Sequence, residues 1–189
     1  MEQDSKMVIL EAQIRDCFGR VVWTHKTQEK CADILNTRNS CIKICQIVLS
    51  AITTTGIMIT AFGDNKWVGV VSAIISAALL ALNAFTKNYD LGQIAQKHAD
   101  SAANLWNVRE SYLSLLTDLK AQIIDVESIL QRRDNLQIEL KNIYLGAPRT
   151  INKAYTMASK ALKTSEDLTF SDDEIDNFLP TNLRKKHEV

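Results

Sequence analysis

The chain has 189 residues, with 22 Lys+Arg balanced by 22 Asp+Glu and a formal net charge of zero. There is no basic surplus to hold nucleic acid, so direct nucleic-acid binding is not expected. The average hides an uneven chain: about 40 residues fall in two uncharged apolar runs, and roughly 145 lie outside them, enough for one modest soluble domain or helical layer.

In chain order, residues 6–38 predict an amphipathic helix. Val8, Ile9, Ile14, Phe18, Val21 and Val22 recur at three- and four-residue spacing, then Cys31, Ile34 and Leu35, with Gly19 the one weak position. The polar stretch Asn36–Ser40 leaves two readings: a short break with Asn39 or Ser40 capping the next helix, or a helix that runs straight on.

Ile44–Phe62 holds no charged side chain over 19 residues, and Trp67–Thr86 holds none over 20. Only Gly63, Asp64, Asn65 and Lys66 separate them. At about 1.5 Å per residue, roughly 20 residues cross a hydrocarbon core of about 30 Å. Two such runs, so closely joined, predict a transmembrane hairpin whose partner is the lipid bilayer. A secretory signal would start near the first residues and end in a cleavage site; here about 40 polar and charged residues come first, so both helices are expected to be retained. Lys30, Arg38 and Lys43 precede the hairpin and Lys87 and Lys97 follow it, against Lys66 alone in the turn. That asymmetry predicts both termini in the cytoplasm and the turn outside.

Lys87 to Leu145 contains no proline and a single glycine, Gly92. Apolar residues recur throughout, with His98 a near miss in the stripe, and Tyr112, Leu116, Leu119, Ile123, Val126 and Leu130 keep a heptad rhythm. One helix of roughly 80–90 Å, or a helical hairpin, fits this pattern, and its apolar stripe needs a partner such as the N-terminal helix. Gly146 and Pro148 stop it. Thr150 can cap a short helix carrying Ile151, Tyr155, Ala158 and Leu162; Ser171–Glu174 reads as a capping box preceded by Phe170, and Pro180 ends that helix. Arg184-Lys185-Lys186-His187 is expected to be a frayed tail. With no strand pattern, the fold class expected is an all-α integral membrane protein: a two-helix transmembrane hairpin with a cytoplasmic helical layer or coiled coil. Its divisions are a cytoplasmic helix (1–43), the hairpin (44–86, with spans 44–62 and 67–86 and the turn 63–66), a long helix or helical hairpin (87–146) and short C-terminal helices with a tail (147–189).

Nothing in the sequence predicts catalysis. His25, His98 and His187 are scattered, and no nucleophile elbow, phosphate-binding loop or HExxH motif is present. The acidic cluster Glu166–Asp176 lacks EF-hand spacing and reads as a solvated helix start. Cys17, Cys31, Cys41 and Cys45 fall on the predicted cytoplasmic side or at its membrane edge, where thiols stay reduced, and read as small buried apolar residues rather than metal ligands. No enzyme activity, cofactor or metal is therefore expected.

The membrane helices are more informative. Gly69, Ala73, Ala77 and Ala81 place a small residue at every fourth position of the second span, the pattern by which helices approach closely in lipid. The stripe can pack on the first span, on a neighbouring subunit, or on both; a second adhesive face would make a homo-oligomer. On the first span Gln46, Ser50 and Thr53 share a face, and Asn83 lies near the cytoplasmic end of the second. These four are candidate pore-lining residues of an oligomer, an expectation tested by replacing Ser50 and Thr53 with leucine and measuring ion leak. No span carries an ionisable acidic or basic side chain, which argues against a proton relay or voltage sensor.

Trp23-Thr24-x-Lys26 and Cys31-Ala32-x-x-Leu35 before the hairpin, with His98-x-x-x-Ala102 and Leu105-Trp106-x-x-Arg109-Glu110-x-Tyr112-x-x-Leu115 after it, resemble SLATT domains, the two-helix membrane effectors of bacterial anti-phage conflict systems. The resemblance covers roughly residues 10–130. It implies a cytoplasmic layer that keeps the hairpin inactive until an infection cue arrives from a neighbouring gene's product: a nucleotidyltransferase, a nucleotide sensor or a reverse transcriptase. Released hairpins would then assemble and permeabilise the bacterial inner membrane, killing or arresting the host. Trp23, Trp106, Arg109 and Tyr112 match family positions and imply helix–helix packing rather than chemistry. The competing expectation is a membrane anchor that tethers a cytoplasmic coiled coil to recruit a partner.

Overall fold

The computed structural model describes residues 2–63 and 66–185. The turn residues Asp64 and Asn65, and the expected tail from Lys186 onward, lie outside the described residues. Among the described residues the chain is helical without strands: α1 (Glu2–Phe62), α2 (Lys66–Asn88), α3 (Leu91–Lys120), α4 (Val126–Gly146), α5 (Asn152–Lys163) and α6 (Asp172–Phe178), then a 3-10 turn at Thr181–Leu183.

α1 is one rod of 61 residues, about 90 Å long at the α-helical rise. Asn36–Ser40 does not break it. Thr37 Oγ1 donates to the Asp33 carbonyl at 2.8 Å, and the Asn39 amide sits against Gly92 at the start of α3, where a Cβ would meet it at 2.9 Å. A poor helix-forming stretch is thus held by back-bonding and by the neighbouring helix. α2 returns alongside the second half of α1, and α3 continues along the first half after a break of two residues, Tyr89 and Asp90. The Asp90 carboxylate restarts the helix by accepting from the Gln93 N–H at 2.9 Å.

Residues 87–146 resolve into a helical hairpin rather than one long helix. α3 stops at Lys120, Gln122 turns the chain at a φ of 56°, and Asp125 caps α4 by accepting from the Ser128 N–H at 2.9 Å. Arg132 on α4 ties back to Asp118 on α3 at 2.8 Å. The core of the bundle outside the hairpin lies among α1, α3 and α4: Ile14, Val21, Leu105, Val108, Tyr112, Leu115 and Ile129 are fully or almost fully buried. Each such side chain contributes about 1.5–3 kcal/mol by leaving water.

α5 crosses α1 outside that core and buries Ala154, Ala158 and Ala161 against a patch holding Cys31 and Ile34. Thr150 does not cap it: Ile151 occupies the N-cap position with no side-chain bond. Ser171 does form the capping box with Glu174 before α6. Of the cysteines, Cys31 is buried, Cys17 is half-buried and Cys41 and Cys45 point outward, so the buried apolar role fits Cys31 alone.

Two stretches, within Lys6–Phe62 and Lys66–Lys120, are long and apolar enough to cross a membrane. Only 11% and 6% of those apolar windows are covered by protein. A core helix of a water-soluble protein would be mostly covered; these side chains require lipid.

Candidate functional site

The hairpin seam is built from small and polar residues. Gly56 on α1 faces Ser72 on α2, both buried, and a Cβ added to Gly56 would lie 1.9 Å from Ser72 Oγ. One turn nearer the tip, a Cβ on Gly69 would lie 2.9 Å from Thr60 Cγ2. Close backbone approach therefore replaces the hydrophobic drive that lipid removes. At the end away from the turn Gln46 Nε2 donates to Asn83 Oδ1 at 2.8 Å and to Thr86 Oγ1 at 3.1 Å, which closes the polar groups of the two helices on each other. Thr53 is buried in the seam, its hydroxyl donating to the Leu49 carbonyl at 2.8 Å.

The structure thus divides both residue sets singled out above. Of the polar set, Gln46 and Asn83 pair with each other, Thr53 turns inward, and Ser50 points outward. Of the small-residue stripe, Gly69 packs on α1, while Ala73, Ala77 and Ala81 face outward, uncovered by this chain.

Below the membrane, α1 and α3 meet along a seam with a buried polar layer. His25, Lys26, Thr27 and Gln28 are consecutive and all buried. His25 Nδ1–H donates to the Ala102 carbonyl at 2.9 Å, and His25 Nε2 faces Glu29 at 3.7 Å. His98 Nδ1 donates to Gln28 Oε1, and Gln28 Nε2 reaches the Pro148 carbonyl at 3.4 Å. Gln28 therefore links α1, α3 and the connection into α5. Burial holds the His98 ring below its ordinary pKa. Lys26 loses hydration by burial, yet Asp167 and Glu29, each at 3.0 Å, outweigh that loss and raise its pKa.

The aromatic and basic positions fall around this layer. Trp23 packs on Tyr155 of α5 with ring centroids 5.4 Å apart, and Lys163 Nζ lies 5.4 Å over its ring. Trp106 lies 5.4 Å from His25 and carries the Arg109 guanidinium 4.5 Å from its ring centroid. Tyr112 is buried in the core, and burial beside the Cys17 thiol pushes its pKa up to about 12. An open groove of about 680 Å³ runs beside the layer, lined by His25, Lys26, Glu29, Lys30, Asp33 and Trp106 among others. Among the described residues no three His, Cys, Asp or Glu side chains gather as metal ligands.

The buried layer His25–Gln28 and the Lys26–Asp167 pair were not legible beforehand. Four successive polar residues read as solvent-facing, and only the placement of α3 and α5 covers them. His98 carried the one signal, as a polar residue on an apolar stripe.

A hairpin of two lipid-facing helices, set on a helical bundle made from the flanking chain, defines a two-transmembrane membrane protein. The chain belongs to the SMODS and SLOG-associating 2TM effector domain family 4, whose model matches residues 10–174. The match extends past α4 through α5 into α6, so the short helices are part of the family's domain and not an appendage. No curated protein and no solved structure matches the chain. Membership makes it a membrane effector of conflict and defence systems.

Proposed function

We propose that this chain is a pore-forming or membrane-disrupting effector of anti-phage defence. It acts by oligomerising in the bacterial inner membrane, both termini cytoplasmic, to kill or arrest the infected host. The observation that carries this reading is the uncovered face of Ala73, Ala77 and Ala81. The intrachain seam is already closed through Gly56, Ser72, Gly69 and the Gln46–Asn83 bond. A second close-packing face on a two-helix unit is therefore left for another copy. Gln46, Ser50, Thr53 and Asn83 are proposed to line the path once hairpins assemble; in the resting arrangement Gln46 and Asn83 satisfy each other. The association with SMODS and SLOG proteins that gives the family its name supports a separate sensor, a nucleotidyltransferase or nucleotide-sensing partner, as the source of the cue; a reverse transcriptase is the other candidate.

The test is induced expression together with the neighbouring genes in phage-infected bacteria, so that the cue is present, with a potential-sensitive dye, wild type against Ala73→Leu/Ala77→Leu. Depolarisation by the wild type, lost in a variant that still inserts, supports assembly into a pore. Normal potential with stable membrane association in both overturns it and supports an anchor that recruits a partner through its cytoplasmic helices.

A further inference from the structure

The stretch between α5 and α6 is held in an unusual way. Glu166 and Leu168 both adopt positive φ, 49° and 74°, a conformation that side chains with a Cβ disfavour and that persists only where the surroundings impose it. Between them Asp167 has its N–H bonded to the Ala161 carbonyl at 3.1 Å and its carboxylate 3.0 Å from Lys26 Nζ. Lys26 is nearly enclosed, its side chain 10% exposed, so the far end of this connection is caught on a buried cation in the middle of α1.

The rest of its hold on α1 is modest. α5 buries three alanine methyls, Ala154, Ala158 and Ala161, which remove little area from water compared with the Leu, Ile and Tyr side chains of the main core, and adds the Tyr155 and Lys163 contacts with the Trp23 ring. Beneath α5 lies Cys31, fully buried in a small cluster with Ile34 and Ala154. On the adjoining face of the same stretch of α1, His25 and Gln28 hold α3 through Ala102 and His98, and Gln28 also holds Pro148 at the entry to α5. α1 runs unbroken from here to Phe62, and α3 is separated from α2 by only two residues. The helices joined at this level are thus α1, one rod of the membrane hairpin, and α3, which follows the other rod, α2.

We propose that α5 and residues 164–170, caught on Lys26 through Asp167, form an autoinhibitory latch whose release uncovers Cys31 and loosens the α1–α3 seam below the hairpin. The link from a loosened seam to an active hairpin rests on the pore reading above; the latch itself does not.

The test uses the full chain in lipid nanodiscs with Cys17, Cys41 and Cys45 replaced by serine, leaving Cys31 as the reporter. Maleimide labelling of Cys31 and amide exchange around Ala102 are measured for the parent, Asp167→Asn and Asp167→Glu, alongside helical content by circular dichroism. The Lys26–Asp167 pair is partly screened because Asp167 is half-open, so the expected effect of Asp167→Asn is about a tenfold rise in labelling rate rather than a larger one. Exchange near Ala102 rises with it, helical content is unchanged, and Asp167→Glu stays near the parent. Unchanged labelling in Asp167→Asn overturns the latch, and so does labelling that rises without any change in exchange near Ala102. A general loss of helix in Asp167→Asn moves the test to Lys163→Ala, which weakens the Trp23 contact of α5 and must speed Cys31 labelling for the latch to stand. The same variants are then expressed with the potential dye. Faster labelling and exchange with depolarisation in the absence of any cue supports both readings; faster labelling and exchange with normal potential upholds the latch and overturns the pore.

Discussion

Gly56→Ala probes the hairpin seam at its tightest point. The new methyl would sit 1.9 Å from Ser72 Oγ and 3.2 Å from Ser72 Cβ. Rotating the Ser72 hydroxyl removes the first clash but not the second. Ordinary carbon contacts sit at about 3.5–4.0 Å, so the helices must part locally by about 0.3–0.8 Å, and a gap of that order forfeits roughly a quarter to a half of the dispersion attraction where it opens. Overpacking of this kind costs about 1–3 kcal/mol, offset by up to about 1 kcal/mol of better helix propensity, for a net loss of about 1–2 kcal/mol. The assay is energy transfer between labels on Cys45 and Ala84→Cys, with the other cysteines replaced, followed through an SDS titration of the micelle-embedded protein. Gly56→Ala, Ser72→Gly and the double variant complete a cycle; the double variant should recover most of the loss, giving a coupling of about 1 kcal/mol or more. Gly19→Ala is the control, because nothing lies within 4 Å of a Cβ there, and it should stabilise the bundle outside the hairpin by about 0.5–1 kcal/mol. A Gly56→Ala protein as stable as wild type, with no coupling to Ser72, would refute the seam as described.

Gln46→Leu removes the donor to both Asn83 and Thr86 and should weaken the hairpin by about 0.6 kcal/mol, at most about 1.7, in the same titration. Leu105→Ala empties a fully buried site in the bundle core and should cost about 2–5 kcal/mol by thermal or denaturant unfolding of the bundle outside the hairpin. Burial holds His98 below its ordinary value of 6.5: the folded chain prefers the neutral ring and the unfolded chain takes up the proton first. That contribution to stability is full above the ordinary value and declines as pH falls below it. Melting temperature should therefore drop between about pH 7 and 5, and His98→Gln should flatten the dependence; an equal slope in the variant would count against the assignment.

The hairpin and the all-helical class were readable from the chain because a lipid environment imposes a blunt requirement. Some 20 uncharged residues must come together in sequence, and no distant segment can supply them. The capping box at Ser171 was readable for a similar reason, since every participant lies within four residues. The bend between α3 and α4 was not. Gln122 takes the left-handed conformation in place of the glycine that customarily marks such a turn, and the heptad rhythm runs through it on Ile123, which the structure leaves exposed in the bend. The continuity of α1 through Asn36–Ser40 was equally open, since local propensity disfavours a helix there and contact with Gly92 of α3 outweighs it.

What the chain determined alone is where lipid must be and where a complete local cap such as Ser171–Glu174 starts a helix, because hydrophobicity and capping act between near neighbours. What only the tertiary structure decided is which faces are spent and where the long helices bend or run on. It turned Gly69 inward and Ala73, Ala77 and Ala81 outward, paired Gln46 with Asn83, and enclosed His25, Lys26 and Gln28 of α1 together with His98 of α3. Burial of a polar side chain depends on partners tens of residues away, and periodicity within one helix carries no record of which neighbour will cover it.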